Sequence, residues 1–323
     1  MNFSDFDSQI DTNIKPSPLA NRSKQFRRNI WIISFPHLLS LLVIFFTENT
    51  TFAYDTKVST QSTTSALWQE ERKSELQSLN SKKLEIPTKK VLNTVVGKYN
   101  TAQSILNKHM QAMGGWSAWR PIESVRFRGI VKNNSGSYDI FIIKKRPNFV
   151  RATVTLQQND TNGESFQLIR GYDGANGWYA NRLSGEIGLH KEILDPHAAR
   201  MIASDSNVQP LMAQLTEDGA TLKVSHLVDF EGTLAFELSA THPLTKTNHN
   251  IYIDAESYKM VGFESWHGDN RTMTWIHEYK TVNGVLVPSL TTTISDEGDP
   301  TVLYMDSIQI GVGVHNEYFS SNT

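Results

Sequence analysis

Between residues 124 and 308 the chain returns about every ten residues to a strand-length segment, and that rhythm limits the fold more than any other feature. Residues 124–132 set Val125, Phe127 and Val131 on one face, with Arg126, Arg128 and Lys132 on the other. Residues 149–156 alternate in the same way, placing Val150, Ala152, Val154 and Leu156 together, whereas 138–144 is more continuously apolar. Further strands are expected at 165–172, 177–181, 222–230, 233–241, 250–254, 260–266, 271–279, 285–293 and 302–308. Asn283-Gly284 between two of them is a hairpin signal, because both residues accept positive φ. Such a series with short turns reads as one antiparallel meander.

Two stretches break the period of two. Leu92, Val95, Val96, Tyr99, Ala102, Leu106, Met110 and Met113 recur at three- and four-residue spacing, which predicts an apolar helical face, clearest over 101–113. Gly114-Gly115 then ends the helix. Residues 195–215 form the second break. Asp195 can cap, Pro196 can take the first helical position, and Ala198, Ala199, Met201 and Ile202 follow. A second short helix from Pro210 would carry Leu211, Met212 and Leu215. A helical insertion within a long meander has to lie across one face or mouth of the sheet, as a plug or a lid. The expected fold class is therefore α+β: a strongly curved antiparallel sheet, a half-barrel meander, wrapping one N-terminal helix and a short helical insertion.

The N-terminal region limits function rather than fold. Lys24, Arg27 and Arg28 precede an uncharged run over 30–46, and Thr51-Phe52-Ala53 offers small residues at a cleavage spacing. That order is the one a secretory signal has, with an uncleaved membrane anchor as the alternative. Residues 54–87 are polar and poor in aromatics, as in a tether or a loosely helical lead-in. The expected organisation is a signal or anchor at 1–53, a lead-in at 54–99, the half-barrel domain at 100–316 and a tail at 317–323.

Export from the cytoplasm would set aside chemistry that depends on ATP or on a genome. Of 31 Lys and Arg and 33 Asp and Glu, residues 1–53 hold five and four, leaving 26 against 29. A net charge of −3 gives no basic field for nucleic acid. With no cysteine, the protein has neither disulfides nor thiolate chemistry, so burial alone must hold it together.

No catalytic pattern stands out. Histidines at 109, 190, 197, 226, 242, 249, 267, 277 and 315 show no metal-ligand spacing, although strands could bring them together around a metal. There is no Gly-x-Ser-x-Gly elbow, no phosphate-binding loop and no dinucleotide fingerprint, so no cofactor is expected. The aromatics Trp116, Trp119, Trp178, Tyr179, Trp266 and Trp275 fit either a core or the wall of an apolar cavity.

Two segments carry a resemblance. FIIKKRPNFV at 141–150 and GYDGANGWYAN at 171–181 resemble the periplasmic lipoprotein-carrier family of the LolA type. AMGG at 112–115 leading to SVRFRG at 124–129, and EYKTVNGVLVP at 278–288, fit the same pattern. The resemblance implies an incomplete antiparallel barrel, closed by helices, with an apolar cavity that shields acyl chains. Arg146, beside Pro147, falls on the family's latch arginine, which holds the lid shut. Phe141, Trp178, Tyr179, Trp266 and Trp275 from the sheet, with Met201, Leu211 and Met212 from the insertion, are then the candidate cavity residues. Lys145 and Arg146 would meet headgroup or lid atoms.

The function implied is non-enzymatic binding of a lipid or an acylated lipoprotein, with a membrane-bound receptor as a further partner. Two alternatives stay open: a periplasmic sensor or assembly factor that binds a protein, and a metal-dependent hydrolase with convergent histidines.

Overall fold

The computed structural model describes residues 90–92, 101–157, 165–183, 189–296, 298 and 300–322. The signal or anchor expected at 1–53 and nearly all of the expected lead-in lie outside the described residues. The first elements are β1 (Lys90–Leu92), α1 (Ala102–Ala112), α2 (Trp116–Trp119), β2 (Ser124–Asn133), β3 (Gly136–Lys145), β4 (Phe149–Gln157), β5 (Ser165–Asp173), β6 (Gly177–Leu183) and β7 (Lys191–Ile193). After α3 (Pro196–Ser204) and α4 (Leu211–Glu217) come β8 (Lys223–Phe230), β9 (Thr233–Thr241), β10 (Asn248–Asp254) and β11 (Met260–His267). The chain finishes with β12 (Asn270–Val282), β13 (Val285–Ser295), β14 (Thr301–Ile310) and a 3₁₀ turn at Asn316–Phe319.

All fourteen strands form one antiparallel sheet, ordered β1-β8-β9-β10-β11-β12-β13-β14-β2-β3-β4-β5-β6-β7. It curves around the helices without closing, so the half-barrel α+β expectation describes it. The single meander needs correcting. There are two runs, β2–β7 and β8–β14, joined where β14 pairs with β2 from Val302↔Lys132 to Ile310↔Val125. That pairing is remote in sequence, and alternation within a strand says nothing about it.

The sheet order dictates where the insertion goes. β7 is at one edge and β8 lies next to the other edge, so 194–222 must cross the sheet from side to side. It crosses the inner face. Asp195 accepts the His197 and Ala198 N–H groups at 2.8 and 3.0 Å and starts α3, which packs on β4, β5 and β6, while α4 meets α1. Ile105, Leu106 and Met110 of α1, Ile202, and Met212 and Leu215 of α4 share one core with Val125, Ile142, Val150, Leu238, Ile251 and Leu303 of the inner face.

α1 begins at Thr101, whose hydroxyl accepts the Ser104 N–H at 3.1 Å, and ends before Gly114. Gly114 has φ +107°, and a Cβ there would stand 2.4 Å from the Gly284 carbonyl oxygen. The Leu286 N–H donates to the Met113 carbonyl at 3.1 Å. The helix stop and the Asn283-Gly284 turn are thus packed on one another.

Two expected boundaries shift. The helical face expected from Leu92 fails at its start, because Lys90–Leu92 is an edge strand whose Val91 opposes Val228 of β8. Backbone pairing with an open sheet edge overrides a side-chain period there. Residues 317–322, expected as a tail, lie against the outer face of β4 and β5, with Phe319 fully buried.

Candidate ligand cavity

A cavity of about 140 Å³ lies between the inner face of the sheet and the segment from Asn207 to Gln214. Its walls are mainly apolar: Phe127 of β2, Met260 and Phe263 of β11, Ile276 of β12, Val287 of β13, Leu303 and Met305 of β14. Val208, Pro210 and Leu211 roof it, and Met113 and Trp119 close one side. Trp119 is fixed by its indole N–H, which donates to the Met113 carbonyl at 2.9 Å.

The roof is held at the end of β3. Lys144 points inward in phase with Ile140 and Ile142, and its Nζ donates to the Asn207 carbonyl at 3.1 Å. Burial lowers its pKa to about 8, against the opposing pull of the Asp205 charge. Arg146 donates from Nε to the Ile122 carbonyl at 2.8 Å and from Nη2 to the Gln209 side-chain oxygen. The Gln209 amide in turn donates to Glu217 in α4, and Gln214 donates to the Ser204 carbonyl. Two cations from one strand end therefore grip the linker between α3 and α4.

On the opposite wall, Ser289 and Thr291 of β13 line the cavity, 1% and 7% exposed. Neither side-chain oxygen has a hydrogen-bond partner among the described residues. Thr274 also lines the cavity, but its hydroxyl is paired with Thr293 at 2.9 Å.

Of the residues expected in the cavity, Leu211 lines it and Met212 packs in the core beside it. Arg146 reaches the roof through Gln209, a side chain, rather than through helix carbonyls. Met201 is buried under α3 outside the lining, and Pro147 is exposed. The sheet aromatics expected there, Phe141, Trp178, Tyr179, Trp266 and Trp275, do not line the cavity. Phe141 points outward, beneath the Arg128 guanidinium. Trp178 packs on the outer face with Ile169 and Ala180, and its N–H donates to the Phe319 carbonyl at 2.8 Å. Tyr179 faces inward and bonds Glu192. Trp275 belongs to a second outer cluster with Val228, Phe230, Ala235, Tyr252 and Met273, while Trp266 sits beside Arg271. For those that face outward the physical reason is common. The outer face carries apolar clusters of its own, so a large aromatic does not mark the inner side. Lys145 meets neither lid nor cavity, because its Nζ donates to the Val314 carbonyl and to Asn316, both at 2.7 Å.

Two buried histidines, His249 and His242, each have a polar partner. His249 Nδ1 lies 2.9 Å from Ser265 Oγ, and His242 Nε2 lies 3.2 Å from an Asp218 carboxylate oxygen. Burial, helped by His242, drives the His249 pKa down to about 3, which makes it a weak general base at neutral pH. Neither pair lines the cavity. Among the described residues no group of three or more His, Cys, Asp or Glu could hold a metal ion.

No family model matches the chain, and no curated protein matches it. Among solved structures it is similar to a DUF1329 family protein from Desulfovibrio piger, at 10% identity, over 68% of this chain and 96% of that one, with a TM-score of 0.45. The MucA/MucB complex of Pseudomonas aeruginosa matches at 12% identity, over 67% and 59%, with a TM-score of 0.19. A LolA superfamily protein from Nitrosomonas europaea matches at 12% identity, over 68% and 98%, with a TM-score of 0.44.

Proposed function

We propose that this protein is a non-enzymatic, exported binder of acyl chains, working in the periplasm on a lipid or a lipid-bearing protein. The observation that carries the reading is the cavity: apolar on nearly every side, and roofed by a segment that a few side chains hold in place. The sequence supports the location through its basic-then-apolar block ending near Ala53.

Size decides how binding would proceed. About 140 Å³ compares with the ~150 Å³ apolar cavity that admits benzene, and falls below the ~300–1,000 Å³ of ordinary ligand pockets. A long acyl chain therefore enters only if the 205–217 segment moves outward. A dozen methylenes at about 0.8 kcal/mol each supply roughly 10 kcal/mol on burial. A hydrogen bond to a charged group contributes only about 1.5–3 kcal/mol. The gain from burial thus exceeds the few contacts that Lys144 and Arg146 make with the linker. Binding and lid displacement are one event in this scheme.

Organic extraction of protein isolated from the exported fraction, followed by mass spectrometry, is expected to yield acyl lipids. The purified protein is expected to brighten Nile red on titration and to release it to a competing fatty acid. Clean extracts together with an unresponsive dye would overturn the reading.

A further inference from the structure

We infer that Ser289 and Thr291 form a hydrogen-bonding subsite for a neutral carbonyl group attached to an alkyl chain, so that the cavity selects acyl esters and amides over free fatty acids. The inference rests on the acyl-binding reading and adds to it the chemistry of the group next to the chain.

The two residues are two positions apart, hence on the same face of β13, in phase with Val285 and Val287. A side chain deep in an apolar wall is ordinarily apolar, or is paired as Thr274 is with Thr293. Ser289 and Thr291 are neither. Each brings a hydroxyl, a donor that rotates to suit its partner, to a cavity wall where no described residue accepts from it. Directly opposite Thr291 on the two flanking strands, Ile276 and Leu303 offer only hydrocarbon.

The charge of the group follows from Lys144. Among the described residues it is the only cation in the lining, its Nζ is already bonded to the Asn207 carbonyl, and the Asp205 charge acts on it. A carboxylate entering beside Ser289 and Thr291 would lose its hydration without gaining an unengaged cation. An ester or amide carbonyl needs only a donor, and two are present.

The test measures displacement of Nile red by decane, methyl decanoate, N-methyldecanamide and decanoate, using the full chain and the Ser289→Ala/Thr291→Val double variant. The wild type is expected to take the ester and the amide at least about ten-fold more tightly than decanoate. The double variant is expected to lose about ten-fold for the ester and the amide while keeping its affinity for decane, which also reports that the cavity has stayed folded. If only the ester or only the amide responds to the double substitution, the subsite holds and the source of the carbonyl is identified. Ser289→Ala alone, the milder change, should give part of the loss. Decanoate binding most tightly, or an equal loss for decane and the ester, would overturn the subsite while leaving the acyl reading intact. Failure of all four compounds, decane included, would overturn the acyl reading itself and the subsite with it.

Discussion

The Trp178 indole N–H donates to the Phe319 carbonyl at 2.8 Å, and both side chains are fully buried on the outer face of the sheet. Around that bond, Arg151 donates to the Tyr318 carbonyl, Lys191 to the carbonyls of Ser320 and Asn322, and Asp173 accepts the Ser321 N–H. The last residues are thus a strap across β4 to β7, held mainly through their backbone. Phe319→Ala should destabilise the domain by about 3–5 kcal/mol, as large-to-small changes in cores do. Urea unfolding followed by tryptophan fluorescence measures this, and a loss below about 0.5 kcal/mol would mean that the strap contributes little.

Gly114 is the second position where one atom decides. Its φ of +107° and the 2.4 Å approach of a Cβ to the Gly284 carbonyl leave no room for alanine. Gly114→Ala should cost about 2 kcal/mol or more, combining backbone strain with separation of the helix end from the hairpin. Gly284→Ala meets only positive φ, with no atom within 4 Å of the added Cβ, and should cost less. Thermal unfolding of the two variants side by side checks the order.

The strands and the helices of the insertion were legible because each is a local pattern. The strands expected from 124 to 308 all formed, the short β7 at Lys191–Ile193 was not anticipated, and Asp195-Pro196 marked the start of α3. The joining of β14 to β2 was not legible, since no local pattern encodes which strand faces Val302. The cavity was legible in part. Lys144, Ser289 and Thr291 carried a usable signal, because each continues the phase of inward apolar residues on its own strand. Tryptophans are the poorer marker of the inner face, because Trp178 and Trp275 serve the outer clusters. Gln209, which joins Arg146 to α4, had no sequence signal at all.

The buried histidines set the acid response. His109, whose ring Nδ1 is 2.9 Å from the Tyr258 carbonyl, and His249 have pKa values lowered by burial to about 4 and about 3. Unfolding restores both toward 6.5. As pH falls below 6.5 the unfolded chain takes up protons that the folded one refuses, so the unfolded state binds more and stability falls. His277, also lowered, adds in the same direction. Urea midpoints should drop between pH 6.5 and 5, a window in which most carboxylates remain ionised. His249→Gln should flatten that slope even where it lowers stability at every pH. A wild-type midpoint unchanged across the window would refute the assignment.

Arg146 is where the lid idea can be tested most directly. Its guanidinium spans the Ile122 carbonyl and the Gln209 side chain, and Gln209 reaches Glu217, so the chain of contacts runs from the end of β3 into α4. Arg146→Leu removes both bonds yet keeps an aliphatic stem at the site. One hydrogen bond to a charged group contributes about 1.5–3 kcal/mol, and about 1.4 kcal/mol is a factor of ten. Nile red release, followed by stopped flow into excess unlabelled vesicles, should therefore accelerate about ten-fold. Gln209→Leu should accelerate it similarly, and the double variant should add little, because the two residues act in series. Arg146→Lys keeps the charge without the fork and should fall between. Unchanged release in Arg146→Leu would leave Arg146 a structural contact and place control of the roof with Lys144.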